Sequence, residues 1–210
     1  AMEPPALAAF LQSLGRDFVS DKEAVEKAVA RWQQQPDEAN LSALRAAVES
    51  PRQEVFRRLN MAPDGTATIV ELRRCLLQLL PKHPELRGID EDMRHLLASW
   101  FNRGFLRLER IDWNTSAAVL EKLIRYEAVH EIDGWDDLRG RLAADRRCFG
   151  FFHPAMPDEP LIFVEVALVG GIAEAVAPLI AKDRPIGDPQ AADTAIFYSI
   201  SNCQDGLRGI

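Results

Sequence analysis

The sequence predicts an α+β protein, in which an all-α helical bundle over residues 1–145 is followed by a sheet-containing region over residues 146–210. Two patterns support this division. Up to residue 145, apolar residues recur every three or four positions, which is the spacing of one face of a helix. From Arg146 onwards, β-branched and aromatic residues form short apolar runs that end at turn residues. We therefore expect two domains, 1–145 and 146–210.

Composition excludes several classes of protein. The 210 residues carry a net charge of −7, which argues against a general nucleic-acid binder. Three widely spaced cysteines, Cys75, Cys148 and Cys203, give no disulfide framework, and no His or Cys residues have ligand spacing, so we expect no metal. The N-terminus has no basic leader and no apolar run is long enough to span a membrane, so we expect a cytoplasmic protein.

Apolar stripes at helical spacing predict eight helices in the first region. Gly15 and Pro81 are typical of residues at helix ends, and Pro51 is typical of a first helical turn. Ser20 and Glu23 have the spacing of a capping box. The stripes lie at 7–14, 25–32, 41–48, 55–59, 69–79, 93–101, 119–124 and 135–142.

Two segments of the first region leave alternatives open. The stripe at 93–101 is wide, which is explained either by packing within one subunit or by a helix–helix interface in an oligomer. Residues 105–111 alternate apolar and charged side chains, which allows a short strand or an extended connection. We favour the connection.

The second region predicts an antiparallel hairpin formed by residues 148–152 and 161–168, which flank a proline-rich turn. Both runs are almost continuously apolar, so the sheet should be covered on both faces. We expect a short helix at 172–181 with Val176 and Ile180 buried, then a loop and a last strand at 195–200.

Gly206 and Gly209 lie three positions apart, directly after this last strand. Glycines let backbone amides approach a ligand closely, and a helix that begins at such a turn offers unpaired N–H groups to phosphate. The spacing therefore allows a pyrophosphate site. Glycine at a strand-to-helix turn also serves backbone geometry alone, so the spacing by itself does not decide between the two.

The residues around this turn resemble the malonyl-CoA decarboxylase family. The matching run is Ala-Ile-Phe-Tyr-Ser-Ile-Ser at 195–201, followed by Gln-Asp-Gly-Leu-Arg-Gly-Ile at 204–210. Stretches at 97–110, 127–130, 146–152 and 158–168 look like the family in the same order. The resemblance is good over residues 60–210, and residues 1–60 share only helical character with the family.

The resemblance implies a helical domain that drives homo-oligomerisation, followed by the start of an acetyltransferase-like (GNAT) mixed α/β catalytic domain. It implies conversion of malonyl-CoA to acetyl-CoA and CO₂ in fatty-acid or malonate metabolism, without an organic cofactor. The segment that would cradle the CoA pyrophosphate is Gly206, Leu207, Arg208, Gly209 and Ile210. The backbone amides of Leu207, Arg208, Gly209 and Ile210 are the expected donors, and the Arg208 guanidinium is an additional charge partner.

The same resemblance implies a catalytic serine and histidine outside the 210 residues, so we expect the chain by itself to be inactive. Two other functions stay open. The helical region could be a non-catalytic oligomerisation or interaction module, and the CoA turn could serve a GNAT-type acyl-CoA transferase.

Few other residues are candidates for chemistry. His130 and His153 fit hydrogen-bonded positions at element boundaries. The carboxylates of Asp136 and Asp137 fall at a helix start, where we expect them to be solvated. Cys203 lies next to the glycine turn, either as a buried inert thiol or as a reactive one.

Overall fold

A computed structural model describes residues 4–210 of the chain, which divide into two compact units. The first unit comprises the residues up to Trp100 together with Gly206–Ile210. The second comprises Phe101–Asp205. The predicted boundary at residue 145 falls inside the second unit, where the first strand of the predicted hairpin begins.

Six α-helices form most of the first unit, and each corresponds to a predicted stripe. They are α1 (Pro4–Asp17), α2 (Lys22–Gln34), α3 (Glu38–Val48), α4 (Pro51–Asn60), α5 (Gly65–Leu79) and α6 (Arg87–Trp100). Two details differ from the prediction. Helix α1 continues past Gly15, and Asp21 rather than Ser20 caps α2, because its carboxylate accepts hydrogen bonds from the amides of Glu23 and Ala24.

The core of this unit comes from α1, α4, α5, α6 and the 3₁₀ turn Pro84–Leu86. Its fully buried apolar side chains are Leu11, Leu14, Phe56, Ile69, Leu76, Leu86, Ile89, Met93 and Leu97. The wide stripe on α6 is thus buried within this chain. Helices α2 and α3 pack against each other and contribute little, since Ala28 is the single buried residue within Lys22–Gln34 and Glu38–Val48.

The second unit contains a four-stranded antiparallel sheet in the order β1-β2-β3-β4. The strands are β1 (Arg107–Ile111), β2 (Arg146–His153), β3 (Met156–Val169) and β4 (Thr194–Asn202), with α7 (Ala117–Tyr126), α8 (Gly134–Arg141) and the single turn α9 (Ala177–Ile180) between them. The predicted hairpin is confirmed as β2 and β3, and the predicted last strand as β4. Helices α7 and α8 correspond to the last two predicted stripes.

The prediction of an extended connection at 105–111 is wrong. Residues Arg107–Ile111 form an edge strand, in which Arg110 pairs with Phe149 and Ile111 with Cys148. Its first four residues are exposed, so the local pattern is weak. The pairing depends on backbone hydrogen bonds to β2, a segment far along the chain.

The predicted helix at 172–181 is also too long, because only Ala177–Ile180 is helical. Gly171 has a φ of 77° and its amide donates to the Asp193 carboxylate, which fixes an irregular backbone here. Leu179 of α9 is buried, whereas Ile180 and Val176, the residue before the helix, are half-buried.

The expectation of a sheet covered on both faces holds for part of the sheet. Consecutive residues of β3 are buried at Glu165, Val166 and Ala167. On β4, however, Phe197 and Ile200 are 66% and 61% exposed. No helix within residues 4–210 has the length and apolar character needed to cross a bilayer.

Candidate functional site

The predicted phosphate-binding segment forms a compact bend. A single 3₁₀ turn covers Asp205–Leu207, and the Ile210 amide then donates to the Leu207 carbonyl at 3.0 Å. Gly209 has a φ of 75°, in the left-handed region that glycine adopts most easily. The bend therefore requires glycine at position 209 for its backbone conformation.

The bend is held by Arg73, a residue of α5. Its side chain is 2% exposed, and its Nη1 donates to the carbonyl of Gly206 at 2.6 Å and to that of Arg208 at 3.0 Å. Its Nε donates to the Asp90 carboxylate at 2.8 Å. A buried guanidinium is costly unless it is paired and hydrogen-bonded, and here the carboxylate and the two carbonyls satisfy it.

Helical geometry explains how Arg73 reaches this position. On α5 it lies four residues after Ile69 and three before Leu76, in the stripe that faces the core. Asp90 lies in the corresponding buried stripe of α6. An arginine at a core position must find its partners inside the protein, and the bend supplies two of them.

A second contact brings the bend against α5. A Cβ atom built on Gly206 would lie 2.0 Å from the Val70 carbonyl oxygen, so only glycine fits there. At the other end of the bend, the exposed Nη2 of Arg94 donates to the Gly209 carbonyl at 3.3 Å. Three carbonyls of the bend, those of Gly206, Arg208 and Gly209, thus accept hydrogen bonds from arginines.

These carbonyl contacts determine where the amides point. A trans peptide is planar, and its C=O and N–H groups point in opposite directions. Because the Gly206 and Arg208 carbonyls face Arg73, the N–H groups of Leu207 and Gly209 are directed away from it. The Ile210 amide is already paired with Leu207. The Leu207 amide belongs to the 3₁₀ turn, whose N–H groups pair with carbonyls three residues earlier, so Gly209 is the best placed of the predicted donors to meet a ligand.

The predicted residues differ in exposure. Gly206 is buried and Leu207 is half-buried, whereas Arg208, Gly209 and Ile210 are exposed. The exposed part of the bend thus combines a correctly directed amide, that of Gly209, with the guanidinium-bearing residue Arg208. Gly206 acts through close packing instead.

A buried polar network in the second unit was missed by sequence reasoning. The Glu127 carboxylate accepts from the hydroxyl groups of Ser199 and Ser201 at 2.9–3.0 Å, and from the amides of Val129 and His130 at 2.8 Å. Serines that alternate on β4 at 199 and 201 are the signal that could have indicated an inward polar face.

Arg141 forms the other part of this network. Its guanidinium lies 3.2 Å from both Asp137 and Glu165, and its Nη2 donates to the His130 carbonyl at 3.1 Å. The expectation of a solvated Asp137 is therefore wrong, because the next turn of α8 provides this buried arginine. Glu165, the single acid inside the apolar run 161–168, could have been recognised as an inward-facing charge.

Burial perturbs several groups of this network. Burial raises the pKa of Glu165 to about 7, against the lowering effect of Arg141 and with a further rise from the nearby Glu127. Burial and the Glu165 charge also raise the pKa of Tyr198. The Tyr198 hydroxyl is buried beside Arg141 and Glu165.

The remaining candidates have structural surroundings. His130 contributes its backbone to the network, and the Nδ1 atom of His153 accepts from the Ala155 amide at 3.1 Å in the hairpin turn. Burial raises the pKa of Cys203 to about 12, which favours the inert thiol. No group of three or more His, Cys, Asp or Glu residues within residues 4–210 is arranged to hold a metal ion.

One cavity in the second unit has about 360 Å³ of space, beside the start of α7. Its charged lining residues are Glu109, Asp112, Asp158 and Arg110. Carboxylates outnumber the single arginine, so this cavity is electrostatically unfavourable for a diphosphate. The bend at 206–210 is the better candidate for an anionic ligand.

Comparisons with known proteins agree with the two-part organisation. Residues 18–101 match the sequence model described as malonyl-CoA decarboxylase N-terminal domain, and residues 104–210 match the C-terminal domain of the same enzyme. The boundary between the matches coincides with the division between the compact units after Trp100.

Individual relatives give the same result. The chain is 35% identical to a mitochondrial malonyl-CoA decarboxylase of Anser anser anser, covering 97% of this chain and 43% of that protein. For the mouse enzyme, also named mitochondrial, identity is 34% over 80% of this chain and 35% of that protein.

Two solved structures are similar over the whole chain. The malonyl-CoA decarboxylase of Rhodopseudomonas palustris is 50% identical with a TM-score of 0.94, and that of Agrobacterium vitis is 48% identical with a TM-score of 0.95. Each comparison covers 100% of this chain and 51% of the solved chain. The chain belongs to the malonyl-CoA decarboxylase family, and it spans about half the length of these solved relatives.

Proposed function

We propose that the full protein containing this chain is a malonyl-CoA decarboxylase, a carbon–carbon lyase that converts malonyl-CoA to acetyl-CoA and CO₂. In this reaction the bond between the malonyl carboxylate and the α-carbon breaks, and the electron pair passes into the thioester as an enolate. Protonation of the α-carbon then gives the acetyl group. Family membership over both matched regions supports this proposal.

Within this chain, the proposed role is to bind the CoA part of the substrate. The orientation of the bend carries the proposal, because its carbonyls are held by arginines while the Gly209 amide faces the opposite way. Such an amide is suited to the oxygens of a diphosphate. Arg208, as an exposed residue beside it, would add a positive charge.

Two further properties belong to the same proposal. The antiparallel sheet of Arg107–Asn202 would be the beginning of a GNAT-like catalytic domain. The compartment is proposed to be the cytoplasm. The curated relatives are named as mitochondrial enzymes and the solved relatives come from bacteria, so the relatives do not agree on a compartment. Locating a tagged full protein in cells of its own host tests the proposed compartment directly.

The helical region is proposed to mediate homo-oligomerisation. Helices α2 and α3 pack mainly on each other and leave apolar side chains exposed, with Trp32 38% and Val48 51% exposed. An apolar surface of this kind is typical of an interface between subunits. Light scattering coupled to size exclusion should give a mass above that of the monomer, and a Trp32→Glu, Val48→Glu variant should lower it.

The activity is tested by incubating the full-length protein with malonyl-CoA and no other acceptor. A decarboxylase releases CO₂ and acetyl-CoA in equal amounts under these conditions. An acyltransferase would act only after an amine acceptor is added, and an interaction module would be inactive in both cases. Either of the last two results would contradict the proposal.

A further inference from the structure

We propose that Arg73 is a positioning residue for the CoA diphosphate, which it serves through the backbone of the bend without touching the ligand. This inference rests on the proposed function, because it assumes that the bend at 206–210 binds CoA. Arg73 belongs to the helical unit and is distant in sequence from the bend. The proposal therefore adds Arg73 to the residues that determine the affinity for the substrate.

The contacts of Arg73 are those of a structural anchor. One nitrogen, Nη1, donates to both the Gly206 and Arg208 carbonyls, and another, Nε, donates to Asp90. The Asp90 carboxylate fixes the plane of the guanidinium, so both carbonyls must turn toward a rigid donor. A lysine ammonium has its donors on one atom and cannot reproduce this arrangement.

The electrostatic effect on a ligand follows from carbonyl orientation. A carbonyl oxygen that faced the diphosphate would repel it, whereas an amide N–H attracts it. Arg73 holds two carbonyls on its own side of the bend and thereby leaves the Gly209 amide on the other side. The bend is ordered before the ligand arrives, so binding does not have to supply that entropy.

The positive charge of Arg73 is not the feature that attracts the ligand. Its side chain is 2% exposed and its charge is paired with Asp90 at 2.8 Å. The long-range attraction of a diphosphate must come from exposed groups such as Arg208. Loss of Arg73 should therefore weaken the short-range contacts of the diphosphate and leave contacts elsewhere on the substrate intact.

This distinction defines the experiment, which uses the full-length enzyme and two substrates. Malonyl-CoA carries the diphosphate, and malonyl-pantetheine has the same thioester without it. The ratio of their kcat/KM values measures how much the 3′-phosphoadenosine diphosphate part of CoA, which includes the diphosphate, contributes. Arg73→Met and Arg73→Lys should lower this ratio roughly ten- to a hundredfold, mainly by raising KM for malonyl-CoA, with Arg73→Lys the milder change.

A matched control is available in the same unit. Arg52 pairs with Asp92 at 2.8 Å, with both side chains nearly buried, and its hydrogen bonds join α4 to α6 rather than reaching the bend. Arg52→Met should lower the melting temperature as a buried pair is broken, yet leave the substrate ratio unchanged. A purely structural role for Arg73 would give this same pattern.

The outcomes separate the two hypotheses. If Arg73 variants reduce kcat/KM for both substrates by the same factor, or leave the ratio unchanged, the positioning role is wrong. If the wild-type enzyme itself does not prefer malonyl-CoA to malonyl-pantetheine, the diphosphate site at the bend is wrong, and the positioning role with it. Should Arg73→Met fail to fold, the ratio for Arg73→Lys decides in the same way.

Discussion

The guanidinium of Arg141 lies 3.2 Å from the Glu165 carboxylate, and the two side chains are 4% and 1% exposed. The same arginine also contacts Asp137, and Glu127 lies close enough to influence Glu165. One buried positive charge thus faces several carboxylates. The excess of negative charge and the loss of hydration together explain why Glu165 binds a proton more tightly than an exposed glutamate.

Stability should therefore decrease as pH rises through the Glu165 titration. The pKa of this group is about 7 in the folded protein and 4.5 in its ordinary state, so the folded form retains a proton that the unfolded form releases. The stabilisation is fully present below the ordinary pKa and is lost as pH approaches the folded value. Glu165→Gln should remove this dependence, which amounts to at most about 3 kcal/mol.

Urea denaturation between about pH 5 and pH 8 checks this expectation. The exposed Glu26, substituted by Gln, is the matched control and should keep the wild-type slope. Parallel curves for wild type and Glu165→Gln would show that Glu165 does not titrate in this range.

The two serines that donate hydrogen bonds to the Glu127 carboxylate, Ser199 and Ser201, should contribute measurably to the free energy of unfolding. Each donates its hydroxyl to the buried carboxylate, and a hydrogen bond to a charged group contributes about 1.5–3 kcal/mol. Ser199→Ala and Ser201→Ala should each lower the free energy of unfolding by about this amount. Ser99→Ala, at an exposed helical position, should change it by less than about 0.5 kcal/mol. Equal effects at all three positions would show that the hydrogen bonds to Glu127 do not stabilise the fold.

Gly206 should tolerate no side chain. An added Cβ would meet the Val70 carbonyl at 2.0 Å, so Gly206→Ala must push the bend away from α5. We expect a loss of about 1–3 kcal/mol in stability together with weaker CoA binding. Gly170→Ala is the control, since nothing lies within 4 Å of its added Cβ. Melting curves and a CoA titration of the full-length protein measure both effects, and a Gly206→Ala variant as stable as Gly170→Ala would refute the contact.

Arg208 and Gly209 should differ in their importance for CoA. If the main chain binds the diphosphate, Gly209→Val should weaken binding far more than Arg208→Ala, because valine is strained at a φ of 75°. Arg208→Ala removes one exposed charge and leaves the amides in place. Isothermal titration of the full-length enzyme with CoA measures the order. Equal losses would indicate that the side chain is as important as the backbone.

The three thiols should react at different rates in the folded protein. Burial raises the pKa of both Cys148 and Cys203, and Cys148 is 1% exposed. Cys75 and Cys203 are both half-buried, but burial and Glu71 raise the pKa of Cys75 less than burial raises that of Cys203. Titration with a thiol reagent near neutral pH should therefore modify Cys75 first and Cys203 much more slowly, and Cys148 should react only on unfolding. Rapid modification of Cys203 in the native state would revive the hypothesis of a reactive thiol.

Local patterns in the sequence predicted the helices of the first unit and the β2–β3 hairpin, because apolar spacing and turn residues are properties of neighbouring positions. They did not predict the edge strand β1, whose exposed residues become a strand through pairing with β2. The helix at 172–181 was overestimated, since its apolar content suggested a helix along the whole segment, whereas only Ala177–Ile180 is helical.

The candidate site was predictable to a similar degree. Gly206 and Gly209 indicated a bend with special backbone requirements, and the structure has both features. The role of Arg73 was not predictable, because an arginine in an amphipathic helix ordinarily faces solvent. Its carbonyl partners lie 133 and 135 positions further along the chain, a distance over which no local pattern carries information.

Because Gly206–Ile210 pack with the helical unit, recombination between related genes should be restricted at the boundary between the two units. A gene rearrangement could join the helical half of one relative to the second half of another. Both cores would be preserved, but Arg73 would come from one parent and the bend at 206–210 from the other. The boundary near residue 101 is thus a poor point for shuffling.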